Sequence, residues 1–97
     1  MVRVIYRWRI DPARRDEFVA WWHEATVRIR SSHRGAMGST LLQPKNDDAL
    51  MVAVARWASE GDLEAFWADG TGPGFSGSEL EAIELFEELD HLTLEQT

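Results

Sequence analysis

Residues 2–10, VRVIYRWRI, place Val2, Val4, Tyr6, Trp8 and Ile10 on one face of an extended segment and Arg3, Ile5, Arg7 and Arg9 on the other. A period of two marks a half-buried strand, because a helix would scatter both sets around its circumference. The strand is followed at once by Asp11-Pro12. Asp is a good N-cap, and Pro is tolerated at the first helical position, where its missing N–H would have no partner anyway. The chain must therefore pass from strand to helix within two residues, and that helix is the nearest cover for the apolar strand face.

From Pro12 to about Ser31, Phe18, Trp21, Trp22, Ala25 and Ile29 recur at helical spacing and form one apolar stripe. Ser31-Ser32-His33-Arg34-Gly35 breaks the helix, and Met37 to Gln43 reads as a second strand. Pro44 and the polar run Lys45-Asn46-Asp47-Asp48 form a turn into Ala49 to Trp57, a nearly unbroken apolar run of strand length. Such a run suits a central strand covered on both faces. Ser59, with Asp62 three residues on, resembles a capping box and opens a short helix carrying Leu63, Phe66 and Trp67. The stretch Gly70 to Gly77 is a loop, Ser78 to Asp90 reads as an acidic helix with Leu80, Ile83, Phe86 and Leu89 inward, and His91 to Glu95 is the candidate last strand.

This order predicts one α+β domain over residues 1–97 with the ferredoxin-like split β-α-β arrangement: an antiparallel four-stranded sheet with helices on one face. The other face is left open, and the apolar run at 49–57 suggests that a second subunit covers it. A chain of 97 residues buries a modest fraction of its surface alone, which also favours a homodimer.

Composition narrows the function classes. The chain has no cysteine, so disulfides, thiolate metal sites and a cysteine nucleophile are excluded. The opening MVRVIYRWRIDP has neither the apolar core of a signal peptide nor the roughly 20 apolar residues of a membrane span, so a soluble cytoplasmic protein is expected. A net charge of −7 speaks against nucleic acid, whose phosphates require a basic footprint. Nine of the ten basic residues precede residue 47, and thirteen acids follow residue 46. The acidic half is either a solvated surface or the electrostatic partner of the basic half. Arg3, Arg7 and Arg9 need partners if their face is buried, and Glu95, Asp47, Asp48 and the acidic third helix are the candidates; an anionic ligand is the alternative.

Several motifs carry no chemistry. Residues 72–77 match G-x-G-x-x-G but follow a helix rather than lead from a strand into one, so a dinucleotide site is not expected and the segment reads as a connecting or lid loop. Glu88 and His91 form one E-x-x-H, whereas carboxylate-bridged metal sites use two with further inward carboxylates; no metal is expected. His23 falls away from the apolar stripe. The five tryptophans admit two readings, packed core or cavity wall.

Three segments, YRWRIDPARRDEF, RGAMGSTLL and VARWASEGDLEAFW, resemble the antibiotic biosynthesis monooxygenase family of dimeric α+β barrels, in order and over nearly the whole chain. The resemblance implies that two ferredoxin-like subunits join their sheets, each keeping a pocket between sheet and helices. Members include cofactor-free monooxygenases of aromatic phenols and haem-degrading enzymes. The haem branch is similar in using an Asn on the first strand, a Trp on the helix after W-x-S and a His soon after; here those positions hold Tyr6, Phe66 with Trp67 one step off, and no His in 68–90. Haem degradation is therefore disfavoured, and no cofactor is expected.

The cofactor-free branch requires an aromatic cavity with a few polar groups. Tyr6 is the candidate catalytic residue, as a hydrogen-bond donor to a phenolate or carbonyl oxygen. Trp8, Phe18 and Trp22, with Trp57, Phe66 and Trp67, are the candidate substrate-binding wall, and His33 is a candidate at the pocket mouth. The expected function is cofactor-independent monooxygenation of a small aromatic or polyketide-like phenol. The alternative is a non-catalytic dimer that binds a small ligand. An isomerase or cyclase on the same scaffold would need a general base, for which His33 is the candidate.

Overall fold

The computed structural model describes residues 1–70 and 74–92. Its elements are β1 (Val2–Arg9), a 3-10 turn (Pro12–Arg14), α1 (Arg15–Ser32), β2 (Ala36–Leu42), β3 (Leu50–Trp57), α2 (Glu60–Ala68) and β4 (Glu79–Glu87). The four strands make one antiparallel sheet in the order β2-β3-β1-β4, the ferredoxin-like α+β arrangement. Ser59 caps α2 as expected, its Oγ accepting from the Asp62 N–H (3.1 Å), whereas Asp11, accepting from the Ala13 N–H (3.0 Å), caps the 3-10 turn, and the α-helix expected from Pro12 begins at Arg15 with no side-chain cap.

On β1, Val4, Tyr6 and Trp8 are buried toward the helices, with Ile10 just beyond the strand, and they join Phe18 of α1, Met51, Ala53 and Trp57 of β3, and Leu63 and Phe66 of α2 in one core. Trp8 meets Phe18 edge-on at 5.3 Å and Trp21 at 6.2 Å. Phe75, in the segment before β4, packs on Phe18 and Trp21. Arg14 holds it there by stacking over its ring at 4.7 Å while donating to the Ser76 carbonyl.

One sequence expectation fails outright. Ser78 to Asp90 is not a helix; its body is β4, paired antiparallel along the whole of β1. The last strand expected at His91 to Glu95 is not found at His91 and Leu92, and residues 93–95 lie outside those described. Glu, Leu and Ala favour helix by up to about 0.7 kcal/mol per residue, but that preference is weak against tertiary pairing. Without β4, one edge of β1 would carry a row of unsatisfied N–H and C=O groups. Charge fits the same register. On the face away from the helices, Arg7 reaches Glu84 (3.3 Å), Arg9 reaches Asp47 (2.7 Å) and also Glu81, and Arg3 reaches Glu88 (2.7 Å). The arginines of β1 thus do have acidic partners. Of the expected ones, Asp47 is found, Asp48 makes no such pair, Glu95 lies outside the described residues, and the rest come from a strand and the residue after it instead of a helix.

Glu88 closes this face. It accepts from Arg3 and from both Nε and Nη2 of Arg56 (3.0 and 2.9 Å), and its side chain is only 10% exposed. Hydrogen bonds from Arg56 and then Arg3 outweigh its partial burial and pull its carboxyl from 4.5 to about 2. A carboxyl depressed on folding stabilises the fold above its unfolded value, and that stability is lost as pH falls from about 4.5 toward 2. Glu88→Gln should therefore be less stable than the parent at pH 7, with the difference shrinking through this window; parallel acid melts of the two proteins measure it, and a gap independent of pH would contradict the assignment.

Gly35, the turn residue just before β2, has φ +84°, and a Cβ there would lie 2.7 Å from Asp62 Cβ on α2. Its carbonyl accepts from the Ala58 N–H at the end of β3 (2.8 Å), so three elements meet at this residue. Gly35→Ala should cost about 1–3 kcal/mol, from the left-handed backbone and the collision together. Chemical denaturation reads this directly, and a neutral outcome would contradict it.

Candidate functional site

Alternation on β1 sets Tyr6 and Trp8 side by side, and their rings stack at 5.5 Å with a 21° tilt. Opposite them, the α1 stripe presents Trp22, Ala25 and Ile29. Between the two surfaces lies a cavity of about 380 Å³. Trp21 lines one part of it, Trp57 and Phe66 another, and the end of α1 contributes Arg28, Arg30, Ser32 and His33. Trp57 and Phe66 stack at 5.3 Å, so the turn between β3 and α2 folds two aromatic rings into a single wall. A volume of this size is within the range of small-molecule sites.

The polar groups are few. The Tyr6 hydroxyl accepts from the Trp67 indole N–H (3.2 Å), which leaves the hydroxyl proton free to donate. Burial raises the Tyr6 pKa above its ordinary value near 10 and the Trp67 bond opposes this only partly, so Tyr6 is a neutral donor at physiological pH. Trp8 is 2% exposed and its Nε1 is buried with no hydrogen-bond partner. A buried donor without an acceptor costs about 1–3 kcal/mol.

His33 lies at the C-terminal end of α1 with its side chain 20% exposed. Ser32 Oγ donates to the Arg28 carbonyl (2.6 Å) and lies 3.1 Å from His33 Nδ1. Nε2 lies 3.1 Å from the Asp69 carboxylate beyond α2, and the ring meets Phe66 edge-on at 5.0 Å. Both ring nitrogens are thus occupied. The residue ties α1 to the end of α2.

The structure gathers Tyr6, Trp8, Trp22, Trp57, Phe66 and His33 around the cavity. Two other candidates sit elsewhere. Phe18 is completely buried behind Trp8, in contact with Trp21 and Phe75, and does not reach the cavity. Trp67 does not line it either and acts on it only through the Tyr6 hydroxyl. Trp21, part of the α1 stripe but not among the candidate wall residues, does line it. Arg28 and Arg30 were not signalled as site residues; they flank the stripe at Ile29, and only the position of α1 on the sheet reveals that both border the cavity. His23 is exposed. Among the described residues no group of His, Asp or Glu is placed to hold a metal ion, and no helix is long and apolar enough to cross a membrane.

Comparison with known proteins agrees with this architecture. The chain is similar to a variant of SnoaB, a cofactor-independent oxygenase from Streptomyces nogalater, at 24% identity with a TM-score of 0.71, covering 94% of this chain and 95% of the other. It is similar to the haem-degrader MhuD from Mycobacterium tuberculosis, solved with two haems in its active site, at 15% identity with a TM-score of 0.74, covering 96% and 100%. A candidate antibiotic biosynthesis monooxygenase from Caulobacter crescentus matches at 19% identity with a TM-score of 0.69, covering 92% and 90%. At these identities the likeness speaks for the fold. No functionally curated protein matches. The sequence model of the antibiotic biosynthesis monooxygenase family matches residues 1–69, which span β1 through α2 and carry nearly all of the cavity wall, and the chain belongs to that family.

Proposed function

We propose that the protein is a cofactor-independent monooxygenase of a small, flat aromatic phenol, bound between Tyr6 and Trp8 on the sheet and Trp22 on α1. The observation that carries this reading is the Tyr6 O–H, whose proton is not spent on a protein acceptor, in a cavity otherwise walled largely by aromatic rings. Such a site suits a ring with an oxygen that gains negative charge. The rings supply flat apolar contact, and the Tyr6 O–H stabilises a phenolate where water is scarce.

The chemistry then belongs to the substrate. The phenolate passes one electron to dioxygen, and the resulting radical and superoxide combine at a ring carbon that bears hydrogen. Loss of water from that hydroperoxide leaves a quinone carbonyl, so one oxygen atom enters the product and the other departs as water. Tyr6, held neutral by burial, lowers the cost of the phenolate without removing the proton itself. No free base lines the cavity among the described residues, so the phenol must ionise readily, as hydroquinones with extended rings and anthrones do. His33, the one histidine on the cavity wall, is engaged at both nitrogens, which supports neither an axial haem ligand nor the general base of an isomerase. Haem degradation is accordingly not proposed here, although the fold is shared with a haem-degrader.

The same lack of a free acid or base favours the second reading, a dimer that binds a small apolar ligand without turning it over. Titration of the intrinsic tryptophan fluorescence with hydroquinones, anthrones and flavonoid-like phenols, with oxygen uptake followed in parallel, separates the two. Saturable quenching with uptake supports the oxygenase, quenching alone supports the binding protein, and no response from any compound removes both.

The working unit is proposed to be a homodimer. Leu80, Ile83 and Leu85 of β4 are 38–45% exposed on the helix side of the sheet, and Phe86 is 46% exposed on the other. A long apolar edge strand of this kind is an open template for association. Ile83→Glu should convert a dimer to monomer in light scattering after size exclusion, and a parent protein already monomeric at micromolar concentration would refute the proposal.

A further inference from the structure

Most arginines of this chain are spent on acids: Arg3 and Arg56 on Glu88, Arg7 on Glu84, Arg9 on Asp47 and Glu81, and Arg14 on Glu17. Four arginines, Arg15, Arg28, Arg30 and Arg34, have no such partner, and of these only Arg28 and Arg30 border this cavity. Each lines the cavity, and neither makes an ion pair or a side-chain hydrogen bond. They stand about 100° to either side of Ile29 on α1, so they approach the same end of the cavity from opposite flanks of the helix. We infer that the cavity ligand carries a carboxylate, and that Arg28 and Arg30 receive it while Tyr6 holds the oxygen at the aromatic end. This rests on the cavity being a small-molecule site, as proposed above.

The surroundings support the assignment. Glu24, four residues before Arg28, is positioned to pair along the helix but makes no ion pair, and Asp69, the other acid near this end, is taken by His33. A cation near a helix C-terminus gains from the helix dipole, which accounts for arginines in the last turns of α1. It does not account for two of them bordering one cavity unpaired. Overall charge sharpens the point: a chain at −7 repels anions at long range, so an acidic ligand needs local cations at its point of entry, and two guanidiniums are well shaped for a carboxylate. The site would then be bipolar, with the neutral Tyr6 donor deep in the sheet and positive charge at the end of α1. Its ligand class is a hydroxyaryl carboxylic acid.

Calorimetric titration with 6-hydroxy-2-naphthoate, its methyl ester and 2-naphthol tests this against the parent, Arg28→Gln/Arg30→Gln, and Arg34→Gln, a control for net charge at a residue that does not line the cavity. The acid should bind the parent about tenfold more tightly than the ester, the gain expected of two partly exposed ion pairs. The preference should fall toward onefold in the double variant and persist in Arg34→Gln, with 2-naphthol binding all three alike. Should the double variant fail to fold, the parent alone still decides, because a charge-based preference must shrink in about 0.5 M NaCl. Equal binding of acid and ester to the parent overturns the carboxylate assignment and leaves the cavity reading standing. A preference that survives in the double variant overturns the role of Arg28 and Arg30, and binding of no probe removes the cavity reading itself.

Discussion

Phe18→Ala should lower stability by about 3–5 kcal/mol, the usual cost of removing a fully buried aromatic ring. Phe18 is completely buried, and three aromatic neighbours, Trp8, Trp21 and Phe75, each lie with ring centres 5.3 Å from its own. Alanine removes the ring from the middle of that group, and the neighbours cannot collapse into the gap. Trp8 is fixed on a central strand, Trp21 on α1, and Phe75 is pinned by Arg14. Against a total of about 5–15 kcal/mol for a domain of this size, the loss is large, and the melting temperature should fall by on the order of 20 °C. Phe18→Leu, which keeps most of the volume, should recover more than half. Thermal and denaturant unfolding of both variants provide the measurement. A loss under about 1 kcal/mol for alanine would mean that the aromatic group repacks freely, contrary to the close packing of protein interiors.

Tyr6→Phe carries the largest expected effect on function. If the hydroxyl donates to a developing phenolate, its removal should lower kcat for phenol-dependent oxygen uptake by about 100-fold, in line with the loss of one preorganised donor to an oxyanion, while KM changes little. Stability should move by only about 1 kcal/mol, since the ring stays stacked on Trp8 and the half-buried Trp67 indole loses one acceptor. The pH profile adds a check. Burial raises the Tyr6 pKa above 10, so its donor proton is present throughout the neutral range and is lost only at higher pH. A rise in activity between about pH 6 and 9 would therefore report ionisation of the substrate and should persist in Tyr6→Phe at a lower level. Unchanged kcat in the variant would remove Tyr6 from the chemistry.

The contrast between β1 and β4 shows how far the sequence could be read. Strict alternation from Val2 to Ile10 places Tyr6 and Trp8 on the buried face without any structure. β4 hides its alternation. The pairing with β1 shifts between Arg7 and Trp8, so that Arg7 faces Ala82 but Trp8 faces Leu80, and Glu81 is the extra residue of a bulge. Leu80 and Ile83 then share a face while standing three residues apart, which is the spacing of a helix. A run of Glu, Leu and Ala with that spacing reads as an amphipathic helix until the empty edge of β1 and its arginines are taken into account.

The same division runs through the site. Asp11-Pro12, the stripe from Trp22 to Ile29 and the Ser59 cap are local signals, each decided by a few neighbouring residues, and they fix which aromatic faces look inward. Local chemistry also determined the fold class and the family. What the tertiary structure alone decided is depth and partnership: that Phe18 lies behind Trp8 rather than on the cavity wall, that Trp67 serves Tyr6 from outside it, that both nitrogens of His33 are occupied, and that Arg28 and Arg30 border the cavity without an acid between them. Periodicity specifies the direction of a side chain from its own backbone. The crossing of α1 over the sheet, and the partners met there, depend on distances between residues far apart in the chain, which no local pattern encodes.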